Sequence, residues 1–198
     1  MQVLNLQQGS LEWFQARLGV ATASNFSKLI TSQGKESATL NKYALELASQ
    51  LMLSEPESGY KSDIMQRGND LEPVARQAYQ EATGNFVEEA GFMLCDNYGY
   101  SPDGLIGKSG LIEIKCPIAT THTKYLEEDR LPTDYVAQCQ GGLLVSGRKW
   151  LDFVSYHPNF KRRQIFIKRV ERDENFIDNL KLFINKVITE RDKIINKI

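Results

Sequence analysis

Apolar residues recur along the chain with two periods, and the switches between them divide it into helical and extended stretches. Across 38–53, Leu40, Tyr43, Leu47 and Leu51 fall at helical spacing. Pro56 and Gly59 interrupt that pattern over 54–60. A second helical pattern covers about 63–83 and stops at Gly84, a residue suited to the left-handed turn that ends helices. Pro73 either kinks this helix or marks the start of its regular part. Short alternating runs predict strands at 86–95, 98–101, 110–116, 151–156 and 164–170. Between the third and fourth of these, helices are expected near 121–128 and over 133–145. From Glu174 onward, Phe176, Ile177, Leu180, Ile184, Val187 and Ile188 mark a long amphipathic helix. Upstream, Ser24 is placed to cap a short helix containing Phe26, Leu29 and Ile30. The polar, glycine-containing stretch 31–37 is a candidate mobile loop. Helices followed by a mainly antiparallel sheet with a helical crossover predict an α/β fold of the α+β type, one domain over 1–198.

Composition narrows the partners. The chain has 198 residues, 41% of them hydrophobic and 25% charged, which is ordinary for a globular domain with a real core. No run is apolar and long enough to span a bilayer, and no signal sequence is expected from Met1-Gln2-Val3-Leu4-Asn5. Cys95, Cys116 and Cys139 are widely spaced and fit neither a zinc pattern nor a disulfide framework, so a reducing cytoplasm is expected, with all three as small buried residues. Net charge is −1, so any contact with DNA must rest on local patches. The strongest patch is Lys161-Arg162-Arg163, continued by Lys168-Arg169. It is either a phosphate contact or a solvated strand end.

The candidate chemistry lies around residue 110. Ser101-Pro102-Asp103-Gly104 is followed, ten residues beyond Asp103, by Glu113-Ile114-Lys115, the only Glu-x-Lys in the chain. Ser-Pro-Asp-Gly is turn chemistry, and a second turn between Gly104 and Gly110 lets Asp103 and Glu113 approach across a β-hairpin. Period two puts Glu113 and Lys115 on one strand face, with Ile112, Ile114 and Cys116 on the other. Hard cations such as Mg²⁺ prefer carboxylate oxygens and keep several waters. A metal acidifies water and offsets charge on a phosphate, while a neighbouring lysine orients the water or neutralises the transition state. These residue types suit metal-dependent phosphodiester hydrolysis. The competing reading is a solvated hairpin with a surface ion pair of little consequence.

Four residues admit two readings each. Glu72 is either a third carboxylate for a two-metal site or an exposed helix glutamate. Gln138, three residues after Tyr135 on one helix face, holds a water or scissile phosphate, or is an exposed or capping amide. Arg17 grips a terminal phosphate bidentately or stacks and pairs structurally. Ser24 adds a hydroxyl to that phosphate or acts as the helix cap.

Several segments then align in order from about residue 10 to 180. They are Trp13-Phe14-Gln15-Ala16-Arg17-Leu18-Gly19-Val20-Ala21-Thr22-Ala23-Ser24, Gly68 to Ala75 around Glu72, Ser101-Pro102-Asp103-Gly104-Leu105, Gly110 to Pro117, Tyr135-Val136-Ala137-Gln138-Cys139-Gln140, and Val170-Glu171-Arg172-Asp173-Glu174. In these the chain resembles the phage lambda-type exonucleases, the YqaJ-like viral recombinase branch of the PD-(D/E)xK nuclease superfamily. The resemblance implies a PD-(D/E)xK core and a Mg²⁺-dependent 5′-to-3′ exonuclease. Such an enzyme degrades one strand of linear duplex DNA to mononucleotides and leaves a 3′ overhang.

By the same resemblance, Asp103, Glu113 and the Ile114 carbonyl ligate metal and Glu72 helps hold a second ion, with Mn²⁺ able to replace Mg²⁺. Lys115 positions and activates water, Gln138 sits beside the water or scissile phosphate, and Arg17 with Ser24 binds the 5′-phosphate. Met65 falls where the family carries an apolar wedge between strands, though a core role also fits. Lys35 is a DNA contact in a loop that differs from the phage lambda enzyme, and the ends of the chain are shorter. Double-stranded DNA ends, a single-strand annealing protein and a ring-shaped homotrimer are the implied partners, in a bacterial cytoplasm and from a phage or prophage source. An endonuclease of the same superfamily and a non-catalytic DNA-binding module are the alternatives.

Overall fold

The computed structural model describes residues 1–53 and 63–198, without the side chains of 63–65 and 69. In chain order the elements are β1 (Gln2–Leu4), α1 (Leu11–Gln15), β2 (Ala21–Thr22), α2 (Leu40–Met52), α3 (Asp63–Thr83), β3 (Val87–Glu88), β4 (Phe92–Cys95), β5 (Tyr98–Tyr100), β6 (Gly104–Ile106), β7 (Gly110–Lys115), α4 (Ala119–Glu128), α5 (Val136–Ser146), β8 (Trp150–Tyr156), β9 (Ile165–Glu171) and α6 (Glu174–Ile195). Turns of 3₁₀ helix cover Ala23–Lys28 and Thr133–Tyr135.

Among the described residues nine strands form two sheets. The larger has the order β3-β6-β7-β8-β9 and is antiparallel except for the parallel pair β7–β8. Parallel neighbours cannot be joined by a hairpin, and α4 and α5 make the crossover between them. The smaller sheet, β1-β4-β5-β2, lies beside it. One apolar cluster joins Leu111, Leu151 and Phe153 to α2, α5 and α6, and a second joins Ile112, Ile114, Cys116 and Val154 to Ala75 and Tyr79 of α3. The larger sheet is therefore covered on both faces. Among the described residues no helix is long and apolar enough to cross a membrane.

Several expectations change. The run 86–95 is two strands in different sheets, because Gly91 presses against the first strand: a Cβ there would lie 2.0 Å from the Leu4 carbonyl oxygen. Thr22, not Ser24, precedes the 3₁₀ turn, and no side chain caps it. Leu51 is 46% exposed, and Ala44 and Ala48 join Leu40, Tyr43 and Leu47 on the buried face of α2. Cys95 is only half-buried, whereas Cys116 and Cys139 are buried thiols. Pro73 lies inside α3 without ending it, and Gly84 follows in the left-handed region with φ +72°. The 31–37 stretch folds back on itself: Thr31 N donates to Lys35 O at 2.8 Å, Ile30 bridges Glu36, and Lys186 Nζ holds Glu36 at 2.7 Å. The interruption at 54–60 lies outside the described residues.

Candidate active site

β7 carries the centre of the site. Gly104 pairs with Ile112 across β6–β7, which sets Asp103 immediately before β6, opposite the middle of β7. Its Oδ2 accepts from Ile114 N at 2.6 Å. Glycine is needed at 104, since a Cβ there would stand 2.2 Å from Val87 Cγ1. Glu113 is 2% exposed, and both of its oxygens are engaged. Oε1 accepts from Lys115 Nζ at 2.6 Å and from Gln138 Nε2 of α5 at 2.5 Å. Oε2 accepts from the Tyr100 hydroxyl at 3.0 Å. The Lys115 ammonium also lies 5.4 Å from the centre of the Tyr135 ring.

Two carboxylates in a dry place repel each other. Burial pushes Asp103 well above the usual carboxylate range, Glu113 adds to the rise, and Lys115 and the Ile114 N–H only partly offset it. Burial alone would lower Lys115, but Glu113 and Asp103 outweigh it, so the ammonium is held firmly charged. Tyr100 is raised well above the ordinary phenol range, by burial first and the two carboxylates next, and so remains a donor.

Glu72 of α3 adjoins this group. Its Oε1 accepts from Arg76 Nη2 at 2.8 Å, and Arg76 also pairs with Glu89. Burial raises its pKa, Arg76 opposes the rise, and Glu113 and Lys115 are close enough to act on it as well. Among the described residues no three Asp, Glu, His or Cys side chains converge closely enough to cage a metal. Asp103 and Glu113 form a buried pair, and Glu72, paired with Arg76, lies within electrostatic reach of Glu113 and Lys115. The pair still fits a hard cation. Mg²⁺ is bound through one or two carboxylates plus waters, and here two acids of like charge share a buried site.

Arg17 occupies the wall of a neighbouring cleft of about 360 Å³ that also includes Trp13, Thr22, Asn25 and Tyr43. Its guanidinium lies 4.0 Å from the centre of the Trp13 ring, and Nη1 donates to Ser101 Oγ at 3.2 Å. Among the described residues no carboxylate pairs with it. Burial lowers its pKa to about 10, so it stays charged at neutral pH. Ser24 is exposed, with Oγ 3.3 Å from Thr22 Oγ1, and reaches the cleft only through that neighbour. Lys35 is exposed on its turn, and the Met65 side chain lies outside the described residues.

The sequence does not mark the contacts made by Tyr100, Ser101 and Arg76. Ser101 Oγ accepts from Trp13 Nε1 at 3.0 Å as well as from Arg17, and it precedes Asp103 by two residues. The Ser-Pro-Asp segment therefore joins the arginine cleft to the acid pair. A signal existed in the aromatic run Tyr98-Gly99-Tyr100 beside that segment, but nothing in it names Glu113 as a partner. The patch at 168–169 is structural: Lys168 pairs with Asp129, and Arg169 binds Asp152 and stacks 3.6 Å from the centre of the Trp150 ring.

Three solved structures similar to this chain are exonucleases by description. An alkaline exonuclease from Laribacter hongkongensis is 35% identical, with 95% of each chain covered and a TM-score of 0.87. Its complex with dAMP gives 0.85 at the same identity and coverage. A phage-related exonuclease from Haemophilus somnus 129PT shares the fold at 16% identity, with 90% of this chain and 96% of that one covered and a TM-score of 0.77. No curated protein matches the sequence. Residues 12–149 match the YqaJ-like viral recombinase domain, a span that holds Arg17, Glu72, Asp103, Glu113, Lys115 and Gln138. The chain belongs to the YqaJ-like viral recombinase domain family.

Proposed function

We propose that the chain is a Mg²⁺-dependent 5′-to-3′ exonuclease that degrades one strand of linear duplex DNA to mononucleotides and leaves a 3′ overhang for strand annealing. The observation that carries the reading is Ser101-Pro102-Asp103, which ties the Arg17 cleft to the Asp103–Glu113 pair. A site for a terminal phosphate beside a site for hydrolysis measures cuts from an end. The exonuclease type is supported by the 35% identity to the Laribacter enzyme over 95% of both chains. That enzyme's complex with dAMP supports a site sized for a deoxynucleotide.

Asp103, Glu113 and the Ile114 carbonyl would hold one Mg²⁺, and Glu72 would help hold a second, with Mn²⁺ as a substitute. Bound there, the ions supply Lewis acidity, easing loss of a proton from water and offsetting charge on the phosphate. Lys115, held charged, directs its ammonium protons at the attacking water and the phosphoryl oxygens. Gln138 fixes Glu113 through Oε1 and lies beside the water or the scissile phosphate. Water oxygen bonds to phosphorus as the bond from phosphorus to the 3′ oxygen of the terminal nucleotide breaks. The departing mononucleotide takes the 3′ oxygen with it, which gains a proton to become a hydroxyl, and the shortened strand gains a new 5′-phosphate. Arg17, with Ser24 nearby, then grips that phosphate, so each cut regenerates the group that sets the register of the next.

A ring-shaped homotrimer around the duplex would keep DNA bound between cuts, since a chain of net charge −1 does not retain it by bulk electrostatics. An annealing protein would receive the exposed strand. Comparison of linear with covalently closed duplex in Mg²⁺ tests the reading: linear DNA is digested and closed circles persist, whereas degraded circles indicate an endonuclease. Sedimentation equilibrium reads the ring as three times the monomer mass.

A further inference from the structure

The two histidines of the chain stand together behind the turn that joins β8 to β9. His122 of α4 is fully buried, with Nδ1 2.7 Å from Ser155 Oγ and Nε2 3.0 Å from the Arg163 carbonyl oxygen. A carbonyl only accepts, so Nε2 carries the proton and Nδ1 accepts from the serine hydroxyl. Phe160 meets the His122 ring edge-on at 4.8 Å and the His157 ring at 5.0 Å. The inner side of the turn is thereby pinned. Its outer side carries Lys161, Arg162 and Arg163, all exposed, and among the described residues none of them forms an ion pair. Arg163 sits in the left-handed region at φ +57°, a backbone conformation held by its bond to His122.

The turn also lies on the active-site edge of the sheet. β7 and β8 run parallel with Lys115 opposite Ser155, so both strands end on that edge, and the turn begins two residues beyond Ser155. A groove of about 500 Å³ separates Pro158 and Asn159 from Arg67, Asp70 and Leu71 of α3. Leu71 adjoins Glu72, and Arg67 Nη1 donates to the Cys116 carbonyl at 2.7 Å, next to Lys115. The groove thus lies between the turn and the stretch of α3 that precedes Glu72 and holds the end of β7 through Arg67.

We infer that Lys161, Arg162 and Arg163 form a sequence-independent contact to the phosphate backbone of DNA lying across this edge, an inference that rests on the nuclease reading above. Lys168 and Arg169, by contrast, are already paired with acids of the fold. A turn fixed from behind by buried rings presents its cations without first having to be ordered.

The test is binding of fluorescent linear duplex in EDTA across a salt series, for the parent and the double variant K161A/R162A. Arg163 is left in place because of its backbone. Loss of two phosphate contacts makes the slope of log K against log salt shallower by about 2. The melting midpoint stays at the parental value, so a changed slope is not a loss of fold. An unchanged slope and affinity in a variant whose parent digests linear duplex overturns the turn assignment alone, as would follow if an acidic protein were the occupant. A parent that binds no duplex overturns both readings.

Discussion

The Tyr100 hydroxyl donates to Glu113 Oε2 at 3.0 Å, and Tyr100 leads directly into Ser101-Pro102-Asp103. One short strand therefore orients one carboxylate and delivers the other. Gly142 of α5 allows the approach, since a Cβ there would stand 2.9 Å from the Tyr100 ring. Groups behind a metal's ligands typically contribute about 10–100-fold in metal affinity or activity. Tyr100→Phe is expected to need roughly that much more Mg²⁺ for half-maximal rate, with the maximal rate largely restored at high Mg²⁺. A magnesium titration of the variant reads this, and an unshifted curve would make Tyr100 a packing residue only.

Lys115 faces two acids that keep it charged, so its role is to donate hydrogen bonds rather than to accept a proton. Lys115→Ala is expected to bind duplex normally and to lose roughly 10²–10⁴-fold in turnover, the usual worth of a positioned proton-transfer or water-orienting group. Single-turnover cleavage beside equilibrium binding separates the two. Parental turnover in the variant would remove Lys115 from the chemistry.

Asp103 links the site to stability. Its pKa in the folded chain is raised above the ordinary 3.8, so the folded state binds more protons than the unfolded state between those values. Its stabilising contribution is full below 3.8 and is lost as pH rises through the folded value. In EDTA, melting midpoints should therefore fall as pH climbs through that window, while Mg²⁺ raises them at neutral pH by binding the folded state. Asp103→Asn should melt higher than the parent in EDTA at neutral pH and show little response to Mg²⁺. Equal midpoints, or an undiminished Mg²⁺ response in the variant, would contradict the pair as the cation site.

Arg17 predicts a dependence on the end. The parent should digest 5′-phosphorylated duplex faster than 5′-hydroxyl duplex, and Arg17→Ala should shrink that preference by slowing only the phosphorylated substrate. Paired initial rates decide it: an undiminished preference would leave Arg17 as a stacking partner of Trp13 and Ser101.

Period and turn chemistry carried much of this architecture in the sequence. The hairpin that brings Asp103 to β7, the opposed faces of Glu113 and Ile114, and the Gly84 helix end were all legible, because each rests on local spacing. The division of 86–95 into two sheets was not, because it depends on Gly91 meeting β1, more than eighty residues earlier in the chain. The same limit hid Tyr100 behind Glu113, Ser101 beneath Arg17 and the Asp152–Arg169 pair. Those partners meet through tertiary folding alone, and no spacing marks them. Glu72 was visible as a helix carboxylate, but its attachment to Arg76, one turn on, decides where it points.

The central claim is directional hydrolysis from a phosphorylated end, and linear duplex labelled at the 5′ end in one sample and at the 3′ end in another tests it most directly. With Mg²⁺, the 5′ label should be released at once as a mononucleotide while the 3′ label stays in a lengthening single-stranded overhang, and EDTA should stop both. Earlier release of the 3′ label, or equal digestion in EDTA, would contradict the account.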